Sequence, residues 1–221
     1  MDRMAAVRRS AGPVKGGQLR LIGGRRLRSP QGQGTRPTTS RVREALMNML
    51  SSEIRGCHWL DLCSGSGVMG CEALMRGASH VVAVEKDART AAICRENLEL
   101  VASNDACDAT VNVIKTDLLS WLKQGCPDRE RRFSIVYFDP PYASGLYQPV
   151  LDMLECGHWV RSQGLVVCEY ATKEVIEVPS GWKEVDRRHY GTSSLLILTP
   201  PEHCRGAVSY THLTLPTILL V

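Results

Sequence analysis

Residues 57–70 read CHWLDLCSGSGVMG. The first six form a short apolar run, and glycines follow at positions 65, 67 and 70. An apolar strand that runs into a glycine-rich turn and then a helix is typical of the first unit of a doubly wound α/β sheet. We therefore predict a strand at 57–62 and a helix at 68–76 that ends at Gly77.

Strands and helices alternate on both sides of this unit. Apolar runs predict further strands at 80–84, 109–114, 133–138 and 165–170, then two strands at 182–189 and 194–198 with no helix between them. Helical spacing of apolar residues predicts helices at 87–102, 118–123 and 147–154, and one at 42–50 with Ser40 as N-cap. The sequence thus predicts a doubly wound, mainly parallel seven-stranded sheet with an antiparallel strand at its C-terminal edge.

The glycine turn indicates a ligand site at the end of the first strand. Its spacing, Gly65-x-Gly67-x-x-Gly70, fits the dinucleotide fingerprint, but that match alone does not identify the ligand. Asp61 stands just before the turn, where a carboxylate would repel a pyrophosphate and attract a cationic amino acid. This favours S-adenosylmethionine over NAD, and we assign Asp61, Cys63, Gly65 and Gly67 to cofactor binding.

Two further acidic residues follow the next two strands. Glu85 ends the second strand, where its carboxylate can accept hydrogen bonds from both hydroxyls of a ribose. Asp117 follows the third strand and can accept from an adenine amino group or cap the helix at 118–123. Both residues join the predicted cofactor site, although either one is also compatible with an ordinary structural role.

The fourth strand ends in Asp139-Pro140-Pro141-Tyr142. The prolines fix the backbone and supply no N–H, so the Asp139 carboxylate and the Pro140 carbonyl can both accept from one exocyclic NH2 group. That arrangement directs the amine lone pair towards an incoming methyl group. Tyr142 offers a face on which a base can stack. The motif predicts Asp139, Pro140 and Tyr142 as catalytic residues, with Asp139 also beside the cofactor.

The net charge of +4 is unevenly distributed. Residues 1–43 contain eleven Lys and Arg against one acid, a net charge of +10, so the remainder carries −6. A basic arm on a slightly acidic body suits a polyanion such as nucleic acid, although a solvated arm or a plastid transit remnant has the same composition.

These motifs resemble those of S-adenosylmethionine-dependent methyltransferases with an [Asp/Asn]-Pro-Pro-[Phe/Tyr] motif, and more narrowly those of the bacterial RsmD family. The resemblance covers residues 18–199, including LRLIGG at 19–24, RPTTSRVREAL at 36–46, the glycine turn, Glu85, the Pro-Pro motif and Glu169. The chain departs from the family at Cys63, where Phe or Tyr is usual. The resemblance implies methyl transfer to N2 of a guanine in small-subunit ribosomal RNA.

The resemblance also implies RNA contacts around the Arg-Pro-Thr-Thr block. With the basic arm, it predicts one set of RNA-binding residues: Arg20, Arg25, Arg36, Thr38, Arg41 and Tyr142. Ribosomal RNA is the expected partner, either naked or within a small-subunit assembly intermediate. We expect a monomer in the bacterial cytoplasm, or in a plastid if the source is a photosynthetic eukaryote.

The predicted organisation has three parts: a basic, largely flexible extension at 1–36 with a short strand or hairpin, a methyltransferase domain at 37–201, and a tail at 202–221 outside the fold. No apolar run reaches the length of a membrane span, and the first ten residues do not read as a secretory signal. Nine scattered cysteines without a Cys-x-x-Cys pair indicate neither a zinc site nor any other metal centre.

Several functions remain compatible with parts of the sequence. A planar amine on adenine N6 or on a protein glutamine would fit the same Pro-Pro motif. An NAD-dependent oxidoreductase would account for the glycine turn but not for Asp61 or the Pro-Pro motif. A non-catalytic RNA-binding protein would account for the basic arm but not for the acidic residues at the strand ends.

Overall fold

The computed structural model describes residues 19–30, 38–103, 108–141 and 144–201. These ranges contain seven strands: β1 His58–Leu62, β2 His80–Glu85, β3 Thr110–Lys115, β4 Phe133–Phe138, β5 Val160–Ala171, β6 Lys183–Tyr190 and β7 Ser193–Thr199. They form one sheet in the order β3-β2-β1-β4-β5-β7-β6. β7 runs opposite to the other six strands, and it lies between β5 and the edge strand β6. The predicted fold class is confirmed, with the antiparallel strand placed one position inside the edge.

The described part of the chain contains six α-helices, two before β1 and four between strands: α1 Ser40–Met49, α2 Ser51–Ile54, α3 Val68–Leu74, α4 Ala88–Ala102, α5 Leu118–Leu122 and α6 Tyr147–Cys156. The predicted N-cap at Ser40 is wrong. Thr39 is the cap, because its backbone is extended and its hydroxyl accepts a hydrogen bond from the Val42 N–H. Ser40 is the first helical residue.

Helices cover both faces of the sheet because side chains alternate along each central strand. Trp59 and Tyr137 face a cluster that also contains the buried residues of α1, α3 and α4. Leu60 and Phe138 face the opposite cluster, which contains the buried residues of α5 and α6. The two apolar layers fix the carboxyl ends of β1, β2, β3 and β4 along one rim of the sheet.

Residues 19–28 form a small hairpin on the α1 side of the sheet. An antiparallel bridge joins Arg20 to Arg26, and backbone hydrogen bonds flank it. Leu19, Leu21 and Leu27 are buried in the same cluster as α1. The hairpin lies within the extension predicted at 1–36. The boundary between this extension and the domain predicted from residue 37 stays a prediction.

Buried polar side chains hold the hairpin on the body. Glu72 accepts from the Ile22 N–H at 2.8 Å, and Arg43 donates to the Arg20 carbonyl at 2.6 Å. Asn97 accepts from the Arg28 N–H and donates to the Arg28 carbonyl, both at 2.9 Å. Because these partners sit on α1, α3 and α4, the hairpin is anchored to three helices rather than lying free.

The predicted tail at 202–221 and the residues before 19 lie outside the described ranges. None of the helices in the described ranges has the length and apolarity to cross a membrane. Within the same ranges, no group of three or more His, Cys, Asp or Glu side chains is arranged to hold a metal ion.

Candidate functional site

The predicted acidic residues meet at the carboxyl-end rim of the parallel strands. Asp61 pairs in register with Ala83 of β2 and Tyr137 of β4, so it lies one residue before the end of β1. Glu85 ends β2, and Asp139 directly follows β4. Ligands of open α/β sheets bind at such rims, so the topology brings the predicted residues to one place.

The three glycines of the turn have different surroundings. Gly65 has a φ of 54°, and a Cβ there would meet no atom within 4 Å, so its backbone faces open space. At Gly67, with a φ of 75°, a Cβ would lie 2.6 Å from the Cys94 Sγ. At Gly70 it would lie 2.9 Å from the Val81 Cγ1. Gly65 therefore leaves room for a ligand, whereas Gly67 and Gly70 let α3 pack closely.

Glu85 connects the glycine turn to the start of α4. One carboxylate oxygen accepts from the Gly65 N–H at 3.0 Å, and the other accepts from the Asp87 N–H at 2.9 Å. The side chain is half-buried, and a carboxylate has about four acceptor positions. Acceptor capacity therefore remains for the hydroxyls of a ribose placed over the turn.

Asp61 is buried beneath the turn, with 1% of its surface exposed. It accepts from the Gly70 N–H at 3.3 Å. Burial raises the pKa of its carboxyl to about 7, and the negative charge of Glu85 adds to the shift, although the Gly70 hydrogen bond opposes it. A cation bound beside Asp61 would restore its ionised form.

Asp117 has a structural role in addition to any cofactor contact. It caps α5 by accepting from the Ser120 N–H at 3.1 Å, and it forms an ion pair with Lys86 at 3.2 Å. These interactions lower the pKa of its carboxyl, with the Ser120 bond as the largest cause. The contact with an adenine amino group stays a prediction.

Asp139 is one end of a hydrogen-bonded chain that runs through Thr38 and through Tyr137 of β4 to Glu169 of the neighbouring strand β5. The Thr38 hydroxyl donates to the Asp139 Oδ2 at 3.4 Å and lies 3.1 Å from the Tyr137 hydroxyl. Tyr137 in turn donates to the Glu169 Oε2 at 2.6 Å. Burial, followed by the charges of Glu169 and Asp61, raises the pKa of Asp139 well above its ordinary value.

Sequence reasoning did not identify Tyr137 as a member of this site, and it gave Thr38 a different role. Thr38 was predicted to bind RNA, yet the structure places it in the interior, 8% exposed and directed at Asp139. Two signals were available: a tyrosine within the apolar run of β4, and the acid Glu169 within the apolar run of β5. Buried polar groups of this kind need partners.

Three of the remaining predicted RNA-binding residues lie in the described part of the chain, two in the hairpin and one in α1. Arg20 and Arg41 are exposed, and Arg25 is half-buried. Arg36 and Tyr142 lie outside the described residues, so their roles stay predictions. Of the catalytic motif itself, Pro140 is buried and Pro141 is exposed.

Cys63 sits in the glycine turn with a φ of 60°. Burial raises the pKa of its thiol to about 12, and the neighbouring carboxylates Glu85, Asp61, Asp139 and Asp117 shift it in the same direction. The thiol is therefore protonated at neutral pH. A covalent mechanism through a Cys63 thiolate does not fit this environment.

Residues 14–199 match the protein family described as Conserved hypothetical protein 95. Ribosomal RNA small subunit methyltransferase D of Escherichia coli K12 is 34% identical over 172 residues, which cover 75% of this chain and 82% of that protein. The protein of the same name from Haemophilus influenzae is 31% identical and covers 82% of this chain and 94% of its own length.

Two solved structures extend the comparison. The Escherichia coli protein yhhF is 31% identical, with a TM-score of 0.69, and covers 84% of this chain and 99% of its own. An RNA methyltransferase from Salinibacter ruber, solved with S-adenosyl-L-homocysteine, has a TM-score of 0.56 and covers 76% of this chain and 96% of its own. At 16% identity, the second likeness shows the fold alone.

Proposed function

The chain belongs to the RsmD family, described as Conserved hypothetical protein 95, and from this premise we propose that it methylates N2 of a guanine in small-subunit ribosomal RNA. It is an S-adenosylmethionine-dependent methyltransferase, and the relatives carry the name of a ribosomal RNA small subunit methyltransferase. The observation that carries the proposal is the meeting of Asp61, Glu85 and Asp139 on one rim, beside a glycine turn with open space at Gly65.

The residues of the rim fit S-adenosylmethionine. Gly65 leaves room for the ligand, Glu85 offers acceptors to the ribose hydroxyls, and Asp61 provides a carboxyl that a cationic amino acid would ionise. Asp117 lies beyond β3, on the side we assign to the adenine. When bound, the cofactor supplies an electrophilic methyl group.

The protein's own contribution to the reaction is to hold the amine. The Asp139 carboxylate and the Pro140 carbonyl accept hydrogen bonds from the two amine hydrogens, which directs the lone pair towards the methyl group. Positioning of this kind can supply about 7–11 kcal/mol of the barrier reduction. Asp139 must be ionised to accept in this way, and a neighbouring positive charge favours that form.

The substrate base must be unpaired or extruded, because a guanine amine within a duplex is inaccessible. Tyr142 is the residue we assign to stacking on the base, a contact worth about 1–3 kcal/mol. Exposed Arg20 and Arg41, together with Arg36, are the proposed phosphate contacts. We propose that this takes place in the cytoplasm, where bacterial ribosomal RNA is made.

A methyl-transfer assay with nucleoside analysis tests the proposal. Protein and labelled S-adenosylmethionine are incubated with naked 16S-type RNA and, separately, with assembled small subunits taken from cells that lack the corresponding enzyme. We expect label only in N2-methylguanosine, and at least about 100-fold slower labelling with the Asp139→Ala variant. Label in N6-methyladenosine or in protein would refute the guanine assignment, and the preferred RNA form identifies the substrate.

A further inference from the structure

The hydrogen-bonded chain that starts at Asp139 ends at another carboxylate, that of the buried Glu169. Asp139 contacts Thr38, Thr38 contacts Tyr137, and Tyr137 contacts Glu169, at 3.4, 3.1 and 2.6 Å. Thr38, Tyr137 and Glu169 are each less than 10% exposed. Asp139 and Glu169 are therefore connected through two buried hydroxyl groups, those of Thr38 and Tyr137.

When both acids are ionised, the hydrogen-bonded chain from Asp139 to Glu169 has one proton fewer than it has oxygen–oxygen contacts. Three oxygen–oxygen contacts join the four side chains, but with both acids ionised only the Thr38 and Tyr137 hydroxyls carry a proton. Two protons cannot occupy three contacts, so the 3.1 Å contact between Thr38 and Tyr137 lacks one. A single additional proton completes the chain, whether it resides on Asp139 or on Glu169.

The methylation reaction yields one such proton. The amine nitrogen forms a bond to the methyl carbon as the carbon–sulfur bond breaks, and the electron pair of that bond stays on sulfur. The nitrogen then carries a positive charge and loses one N–H proton. Asp139, which already accepts from the amine in the proposed arrangement, is the first group that can take it.

We propose that Thr38 and Tyr137 form a proton relay that carries the proton of the methylated amine from Asp139 to Glu169. The proton on Asp139 passes to the Thr38 Oγ1 as Thr38 gives its own to the Tyr137 hydroxyl and Tyr137 gives its own to the Glu169 Oε2. One N–H bond is lost, one O–H bond is gained at Glu169, and Asp139 is again a carboxylate. This inference rests on the proposed function, of which it details one step.

Several charged or titratable groups surround this Thr38–Tyr137 relay. Asp61 of β1 and the Cys63 thiol interact with Asp139, and both Asp61 and Glu169 disfavour a negative charge there. The positively charged Arg43 of α1 interacts electrostatically with Tyr137. Tyr147 of α6 donates to the Glu169 backbone carbonyl at 2.7 Å. The charges of Asp61 and Glu169 help Asp139 to take the proton that the amine releases, and this proton is then the one that completes the hydrogen-bonded chain to Glu169.

A purely positioning role for Thr38 is the competing explanation, and Tyr137→Phe separates the two. This variant keeps the aromatic ring and leaves Thr38 free to donate to Asp139. If the chain only orients Asp139, Tyr137→Phe methylates at the wild-type rate. If the hydrogen-bonded chain carries a proton, the variant is slow, because no hydroxyl then connects Thr38 to Glu169.

The test measures single-turnover methylation by the full-length protein across a pH range. We expect Tyr137→Phe and Glu169→Gln each to lower the rate by at least about 10-fold, a fraction of what general acid–base catalysis commonly contributes. Cofactor affinity by calorimetry should stay within about twofold of wild type. Thr38→Ser should restore the rate lost in Thr38→Val, and the double variant Thr38→Val/Tyr137→Phe should be no slower than the slower single variant.

Tyr147→Phe is the matched control. It also removes a buried hydroxyl next to Glu169, but from a bond to the backbone carbonyl, so it should retain the wild-type rate after a similar loss of stability. A second readout needs neither RNA nor cofactor: carboxyl ¹³C NMR titration. Tyr137→Phe should raise the pKa of Glu169 and Thr38→Val that of Asp139, because each hydroxyl stabilises an ionised acid.

The outcomes separate the two levels of the proposal. A wild-type protein that transfers no methyl group to RNA overturns the proposed function and the relay with it. An active wild type with Tyr137→Phe as fast as Tyr147→Phe overturns the relay alone, as do unchanged carboxyl titrations in the variants.

Discussion

Replacing Asp61 by Asn should stabilise the cofactor-free protein at neutral and alkaline pH while weakening the cofactor site. Burial raises the pKa of the Asp61 carboxyl from the ordinary 3.8 to about 7. The folded state therefore holds its proton more tightly than the unfolded chain. Asp61 contributes stability that is fully present below about pH 4 and lost as the pH rises through about 7.

The shift of about three pKa units corresponds to about 4 kcal/mol, since one unit is about 1.36 kcal/mol. About 2.5 kcal/mol of that loss falls between pH 5 and pH 8. Asn does not titrate, so the free energy of unfolding of Asp61→Asn relative to wild type should rise by this amount over the same range.

Urea denaturation of the cofactor-free proteins at pH 5 and pH 8 measures this difference directly. Asp117→Asn is the control, because Asp117 is half-exposed and its pKa is lowered, so this variant should show no gain at high pH. Calorimetry should find weaker S-adenosylmethionine binding in Asp61→Asn. A stability difference that is the same at pH 5 and pH 8 would refute the reasoning.

Three further predictions address the remaining parts of the site. Asp139→Ala should lower turnover by at least about 100-fold while cofactor affinity stays within a few-fold, and Asp139→Asn should be milder because an amide oxygen still accepts one bond. Near-normal turnover in the alanine variant would contradict the amine-holding role. Glu85→Ala should weaken cofactor binding by about 1–3 kcal/mol in calorimetry; unchanged affinity would show that Glu85 only braces the turn. Deleting residues 1–17, which carry four basic residues, should make the log–log salt dependence of RNA binding shallower, by about 0.7 per lost phosphate contact, without affecting cofactor affinity.

The central strands could be predicted from the sequence because parallel strands buried on both faces are apolar throughout. Phe133–Phe138 was located to the residue for this reason. β5 begins at Val160, five residues before the predicted start, because residues 161–163 are polar and exposed and carry no apolar signal. The insertion of β7 between β5 and β6 depends on pairing between distant segments, which no local pattern encodes.

The acidic rim could be predicted because residues that follow parallel strands must meet at one edge. The contacts of Tyr137 could not, because its partners Thr38 and Glu169 are 99 and 32 residues away. A tyrosine in an apolar run is compatible with simple core packing, and only the structure shows where its hydroxyl points. The same limit applies to Gly67, where the packing against Cys94 fixes the need for glycine.

The position of Thr38 changes the interpretation of the Arg-Pro-Thr-Thr block. Its two threonines have different roles: Thr38 reaches Asp139, and Thr39 caps α1. From α1, Arg43 then donates to the backbone of the hairpin at Arg20. One short segment therefore links the proposed RNA-binding surface at the hairpin to Asp139, the carboxylate that we propose holds the amine. We infer that a substitution in this segment would affect catalysis through the position of Thr38, even where the exposed arginines are retained.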